Sequence, residues 1–108
     1  MDGYQEIDIS TYQTQFEQAG TDSYRLIDVR ESDEFMQGRI PHAVNIPLSV
    51  FQFRVQEIPN DKPIVLVCAR GGRSSMAAEF MVSLGYENLY NLSDGTIGWM
   101  LAGLPLET

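Results

Sequence analysis

The sequence predicts an α/β fold in which a mainly parallel, five-stranded sheet carries helices on both faces. Two observations predict it. Five short apolar runs alternate along the chain with segments whose apolar residues recur at helical spacing. One of those runs, Ile64-Val65-Leu66-Val67, has no polar position at all, the pattern of a strand buried on both faces as parallel strands are.

Taken in order, Ile7 and Ile9 alternate with polar neighbours and predict a short first strand. Ser10 and Gln13 read as a capping box, opening a helix with Tyr12, Phe16 and Ala19 on one face and Gly20 at its end. Residues 24–29 form a second strand, apolar enough to be central. Ser32 is the expected N-cap of a short helix, with Asp33 and Glu34 in its first turn and Gly38 ending it. Residues 43–46 give a brief third strand closed by Pro47. Leu48, Phe51, Val55 and Ile58 then mark a helix, stopped by Pro59, Asn60 and Asp61. The Ile64 run is the fourth strand and leads into the longest helix, where Met76, Ala77, Phe80, Met81 and Leu84 recur at helical spacing before Gly85. Residues 89–92 are the fifth strand. Ser93, Asp94 and Gly95 introduce a last helix, with Ile97 and Leu101 toward the core and Gly103 and Pro105 terminating it. No repeat, low-complexity tract or linker interrupts this pattern, so one domain is expected over residues 1–108.

The chemistry concentrates where the fourth strand ends. Cys68, the only cysteine, is followed by Ala69, Arg70, Gly71, Gly72, Arg73 and Ser74, and then by the helix. Open α/β sheets bind ligands at the carboxyl ends of their strands. A lone cysteine after an apolar strand is, by itself, a small buried hydrophobe. The loop changes that reading. Gly71 and Gly72 permit backbone conformations whose N–H groups converge into an anion-binding nest, and the helix start adds further free amides and positive dipole. With Arg70 and Arg73 beside it, a thiol of ordinary pKa about 8.5 is expected to ionise near or below neutrality, with no histidine to deprotonate it.

Composition narrows the function further. Seven basic and fifteen acidic residues give a net charge of −8, which argues against a nucleic-acid-binding surface. Two of those seven basic residues lie in the Cys68 loop, so a positive site is expected on an acidic protein. The single cysteine excludes an internal disulfide and a resolving thiol, and no Cys/His spacing suggests a metal. The first residues carry neither a basic region nor an apolar core of a secretory leader, and no apolar run approaches membrane-spanning length. A cytoplasmic protein without cofactor is the expectation.

At these residues the sequence resembles the rhodanese family. Cys68 to Arg73 is similar to its six-residue active-site loop. Ile27-Asp28-Val29-Arg30, then Glu34-Phe35 and residues 38–47, resemble its first signature, while Gly95, Trp99, Gly103, Leu104 and Pro105 resemble its last. The resemblance implies a rhodanese-like α/β domain and a thiosulfate sulfurtransferase. Cys68 would carry a persulfide cradled by the amides of Ala69 through Ser74. The donor, a small anion such as thiosulfate, would be held by Arg70 and Arg73. The acceptor would be cyanide in an assay and a thiol or protein in the cell. Arg70 is expected to point into solvent above the pocket, and Arg73 to close the cradle from the helix start. A sulfur-relay or binding module serving a protein partner stays open as an alternative. A phosphatase or arsenate reductase fits less well, because only four residues separate Cys68 from Arg73 where those enzymes have five.

Asp28 and Arg30 are expected to support the site. A carboxylate near the end of an apolar strand needs a partner, and Arg30 or Arg39 could supply it. His42 falls in a Pro-containing loop and is expected to be exposed, away from Cys68. Arg39 and His42 stand where the family usually has a histidine and a second glycine, and Asp94 stands where it commonly has another glycine. If the glycine at position 42 normally has φ > 0, His42 must strain or reshape that turn. Asp94 is expected to cap the last helix, and Trp99 to pack in the core.

Overall fold

The computed structural model describes residues 3–108, and Met1 and Asp2, part of the stretch read above for a leader, lie outside them. Five strands form one sheet: β1 (Tyr4–Ile7), β2 (Arg25–Asp28), β3 (Val44–Asn45), β4 (Ile64–Val67) and β5 (Leu89–Leu92). Their order is β1-β5-β4-β2-β3 and every pairing is parallel. The aliphatic run β4 is the central strand, buried at every position.

The helices are α1 (Ile9–Tyr12, running on as a π-helix over Gln13–Glu17), α2 (Ser32–Gln37), α3 (Phe51–Arg54), α4 (Gly72–Ser83) and α5 (Gly95–Leu101). They cover both faces, as the alternation predicts. Ile64, Leu66 and Cys68 pack with Ala77, Ala78 and Met81 of α4 and Phe51 of α3. Val65 and Val67 pack on the other side with Tyr12 and Phe16 of the first helix and Trp99 of α5. The two-residue period of a strand produces this division.

Several local expectations are corrected. The Asp8 carboxylate accepts the Thr11 N–H at 2.8 Å, so Asp8 caps α1, and Ser10 does not. This cap ends β1 at Ile7 and places Ile9 in the helix. Glu31 precedes α2 as its N-cap, with the Glu34 carboxylate accepting the Glu31 N–H at 3.0 Å, and Ser32 is the first helical residue. The predicted helix over 48–58 is broken, with 3-10 turns at Leu48–Val50 and Val55–Glu57 on either side of α3. Met76, Leu84 and Leu101 lie at helical spacing yet are exposed, while Trp99 is buried as expected. Among the described residues no helix is long and apolar enough to cross a membrane.

Candidate active site

Strand alternation decides where the sulfur points. Cys68 continues the row of Ile64 and Leu66, so its side chain faces the layer of α4, directly under that helix's first turn. The chain must then turn back sharply, and it does so at Gly71, whose φ is +95°. A Cβ there would lie 2.8 Å from the Ser93 carbonyl oxygen, so glycine is required on both counts. Gly72 opens α4 without a left-handed φ, and a Cβ on it would meet open space. The special conformation belongs to Gly71 alone.

The turn aims donors at one atom. The Gly71 N–H reaches Cys68 Sγ at 3.1 Å and the Ser74 N–H at 3.3 Å, with the Ser74 hydroxyl also 3.3 Å away. Burial of the thiol opposes ionisation. Backbone N–H groups of Ser74, Arg70 and Gly71 oppose it, and the Cys68 pKa lies below the ordinary thiol value.

The start of α5 braces this loop from behind. The Thr96 N–H donates to the Cys68 carbonyl at 2.8 Å and the Ile97 N–H to the Ala69 carbonyl at 3.1 Å. With both carbonyls held outward, the following amides are free to face the sulfur. Gly95 has φ +68°, and a Cβ there would overlap the Ala69 carbonyl, so this glycine fixes how closely the two turns meet. Position 94 has an ordinary helical φ and tolerates a side chain. Asp94 occupies the N-cap position of α5, but contrary to the expectation its carboxylate does not bond to that helix; it accepts the Ile9 N–H at 3.0 Å and ties α5 to α1.

The two arginines of the loop differ. Arg70 is exposed at the apex. The Arg73 guanidinium forms a two-pronged pair with the Glu34 carboxylate, at 2.7 and 3.0 Å, and lies near enough to Cys68 for the two charges to interact. That pair pulls the Glu34 pKa down to about 2. Glu34 is itself positioned by the buried pair at the end of β2. Arg30 meets the Asp28 carboxylate at 2.8 Å and reaches the carbonyls of Glu34 and Gly38 at either end of this turn of chain. Asp28, Arg30, Glu34 and Arg73 thus form a chain of contacts that anchors α2 to α4 beside the loop.

His42 is exposed with φ +74°, the left-handed conformation that favours glycine, and it lines a separate cleft at the β3 edge with Tyr24, Arg25 and Glu57. It is not brought to Cys68. Arg39 lies over the Phe35 ring, 4.7 Å from its centre, and exchanges backbone hydrogen bonds with Glu107. A cleft of about 270 Å³ does adjoin the loop, lined by Ala69, Thr96, Ile97, Met100, Glu34 and Gln37 among others. Among the described residues no cluster of His, Cys, Asp and Glu is arranged to hold a metal.

Two residues of the site, Glu34 and Asn91, carry no local signal of their role. The sequence marks Glu34 as a first-turn acid and part of the first signature, but not as the partner of Arg73. Asn91 is the polar residue of an apolar strand, and such a side chain needs a partner when buried. It is buried against Ser74 and Gly71.

Comparison with known proteins supplies the context. The rhodanese-like domain profile matches residues 11–102. A sulfurtransferase of Allochromatium vinosum is 38% identical over 88 residues, 82% of each chain. The thiosulfate sulfurtransferase GlpE of Vibrio cholerae is 30% identical over 108 residues, covering 99% of this chain and 98% of its own. The crystal structure of a rhodanese-related protein from Thermoplasma volcanium superposes with a TM-score of 0.84 at 30% identity, covering 96% of this chain and 98% of that one.

Proposed function

The chain belongs to the rhodanese-like family of sulfurtransferases, and from that premise we propose that it carries a sulfane sulfur as a persulfide on Cys68. The observation that carries the reading is the convergence of the Gly71 and Ser74 amides on one buried sulfur. Those donors stabilise a thiolate without a general base.

With thiosulfate as donor, the Cys68 thiolate attacks the outer sulfur. The bond from that sulfur to the sulfite group breaks, and its electron pair leaves with sulfite. Cys68 is left as Cys–S–S⁻, its charge now on the outer sulfur. Gly72 and Arg73 sit in the first turn of α4, where amides have no intrahelical acceptor, and can take up that charge. Arg70, exposed at the apex, draws in the anionic donor. A thiol or protein acceptor (cyanide in an assay) then attacks the outer sulfur and releases the Cys68 thiolate. The exposed Met100 on the adjoining cleft favours an acceptor larger than cyanide, consistent with a relay to a protein. The commitment of Arg73 to Glu34 argues against phosphoryl transfer, since that guanidinium is not free to clasp a tetrahedral oxyanion.

Transfer from thiosulfate to cyanide or a small thiol tests the reading. The wild-type chain should show the parallel initial-velocity lines of a two-stage covalent mechanism, and Cys68→Ser should fold and transfer nothing. Substantial activity in that variant would remove Cys68 from the reaction.

A further inference from the structure

Ser74 and Asn91 are both buried, and neither role follows from the loop alone. Asn91 lies on β5 on the same face as Leu89, so its side chain enters the layer of α4 beside Ser74. Its amide nitrogen donates to the Gly71 carbonyl at 3.1 Å and to Glu6 Oε1 at 2.9 Å. Both partners are acceptors, so they fix which end of the amide is nitrogen. Asn91 Oδ1 therefore faces the Ser74 hydroxyl and can only accept from it.

Ser74 has one hydroxyl proton and two neighbours competing for it. While the proton lies on Asn91, the oxygen turns a lone pair toward Cys68 Sγ at 3.3 Å. That arrangement suits a neutral thiol, which can donate to the oxygen, or the uncharged inner sulfur of a persulfide. It does not suit a thiolate. Turning the proton to a thiolate would leave a buried amide oxygen unpaired, a costly state. The stabilisation that a hydroxyl at this distance could offer the thiolate is thus withheld by Asn91.

We propose that Asn91 is a positioning residue that acts on Cys68 through the Ser74 hydroxyl, disfavouring charge on Sγ and so favouring its transfer to the outer sulfur of the persulfide. The consequence for loading rests on the sulfurtransferase reading above; the effect on the thiol does not. Charged groups on the elements packed around the loop are Arg70 on the loop itself, Arg73 of α4 with its partner Glu34 of α2, the Asp28–Arg30 pair at the end of β2, Asp94 before α5, and Glu6 of β1 behind Asn91. None of them touches the Ser74 hydroxyl, so the proton's choice is between Asn91 and Cys68 alone.

The test is the pH dependence of Cys68 alkylation by iodoacetamide, which requires no sulfur transfer. Asn91→Ala frees the Ser74 proton, so the midpoint should fall by roughly one pH unit. In a Ser74→Ala background the same change should move it by less than about a quarter of that. An unchanged midpoint in the single variant, or an equal shift in both backgrounds, overturns the proposal. Should Asn91→Ala fail to fold, Ser74→Ala alone decides. A midpoint that stays put or falls supports a hydroxyl that withholds its proton. A rise of about one unit means the hydroxyl was donating to the thiolate, and contradicts the proposal. Persulfide formation from thiosulfate, measured separately, tests the sulfurtransferase reading whatever the alkylation result.

Discussion

Two strand-to-helix turns lie side by side at the carboxyl end of the sheet, and similar parts serve opposite ends in them. The β4–α4 turn and the β5–α5 turn each carry a glycine with positive φ, Gly71 and Gly95, and each opens a helix. In the first, the Gly71 and Ser74 amides converge on the Cys68 sulfur. In the second, the amides of Thr96 and Ile97 are occupied by the carbonyls of Cys68 and Ala69. A helix start is therefore not a binding site by virtue of being a helix start. What matters is whether its donors are already bonded, and here one turn's donors are used to keep its neighbour's free.

The most severe way to break this relation is Gly95→Ala. The added methyl would overlap the Ala69 carbonyl at a left-handed φ, for an expected cost of about 2–6 kcal/mol. The loop should lose its order, and sulfur transfer should be abolished even at temperatures where the variant stays folded. Circular dichroism beside a transfer assay checks both, and a variant retaining wild-type transfer would mean that α5 does not brace the loop.

Arg70→Ala sharpens the comparison by changing the mouth of the first turn without touching its frame. A charge-assisted contact is worth about 1.5–3 kcal/mol, so kcat/KM for thiosulfate should fall roughly ten- to a hundredfold. Discharge of a preloaded persulfide to a small thiol should stay near the normal rate. Single-turnover measurements of the two halves separate them, and an equal fall in both would show that Arg70 does more than receive the donor.

Glu34→Gln probes the outer anchor and has a smaller effect with a defined pH dependence. The folded-state pKa of Glu34 lies at about 2, below its ordinary 4.5, because of the Arg73 guanidinium. A depressed carboxylate stabilises the fold above its unfolded pKa and loses that contribution as pH falls through the folded one. The Tm difference between wild type and variant should be constant above about pH 4.5, narrow below it and close near pH 2. A gap of the same size at pH 2 and pH 7 would mean the ion pair is not its source.

Gly72→Ala should do least. With no left-handed φ and open space around the new methyl, stability should change by about 0.5 kcal/mol or less and transfer should persist. Marked loss of transfer would place Gly72 among the residues that shape the loop.

The sequence announced the sheet, its strand-helix alternation and the Cys68 loop because each is written in local pattern. The aliphatic run of β4 and the strong punctuation of Gly71 and Gly85 need no distant partner to be read. The errors fall where tertiary contacts decide. Asp8 and Ser10 are both competent caps, and the choice depends on which carboxylate or hydroxyl meets an orphan amide. Leu101 shares the spacing of core residues but lies on a helix covered on one side only. The pairing of Arg73 with Glu34 spans 39 positions of sequence, and nothing local distinguishes it from an arginine aimed at an anion. Asn91 was legible in part, as a polar residue in an apolar strand; its tie to Ser74 was not.

The central claim is that the braced turn holds a sulfur atom on Cys68, and the most direct measurement is an intact mass spectrum of the chain after thiosulfate treatment. The expected result is a gain of one sulfur atom, reversed by a thiol reductant and absent in Cys68→Ser. A chain whose mass is unchanged by thiosulfate, or whose gain persists in Cys68→Ser, would contradict it.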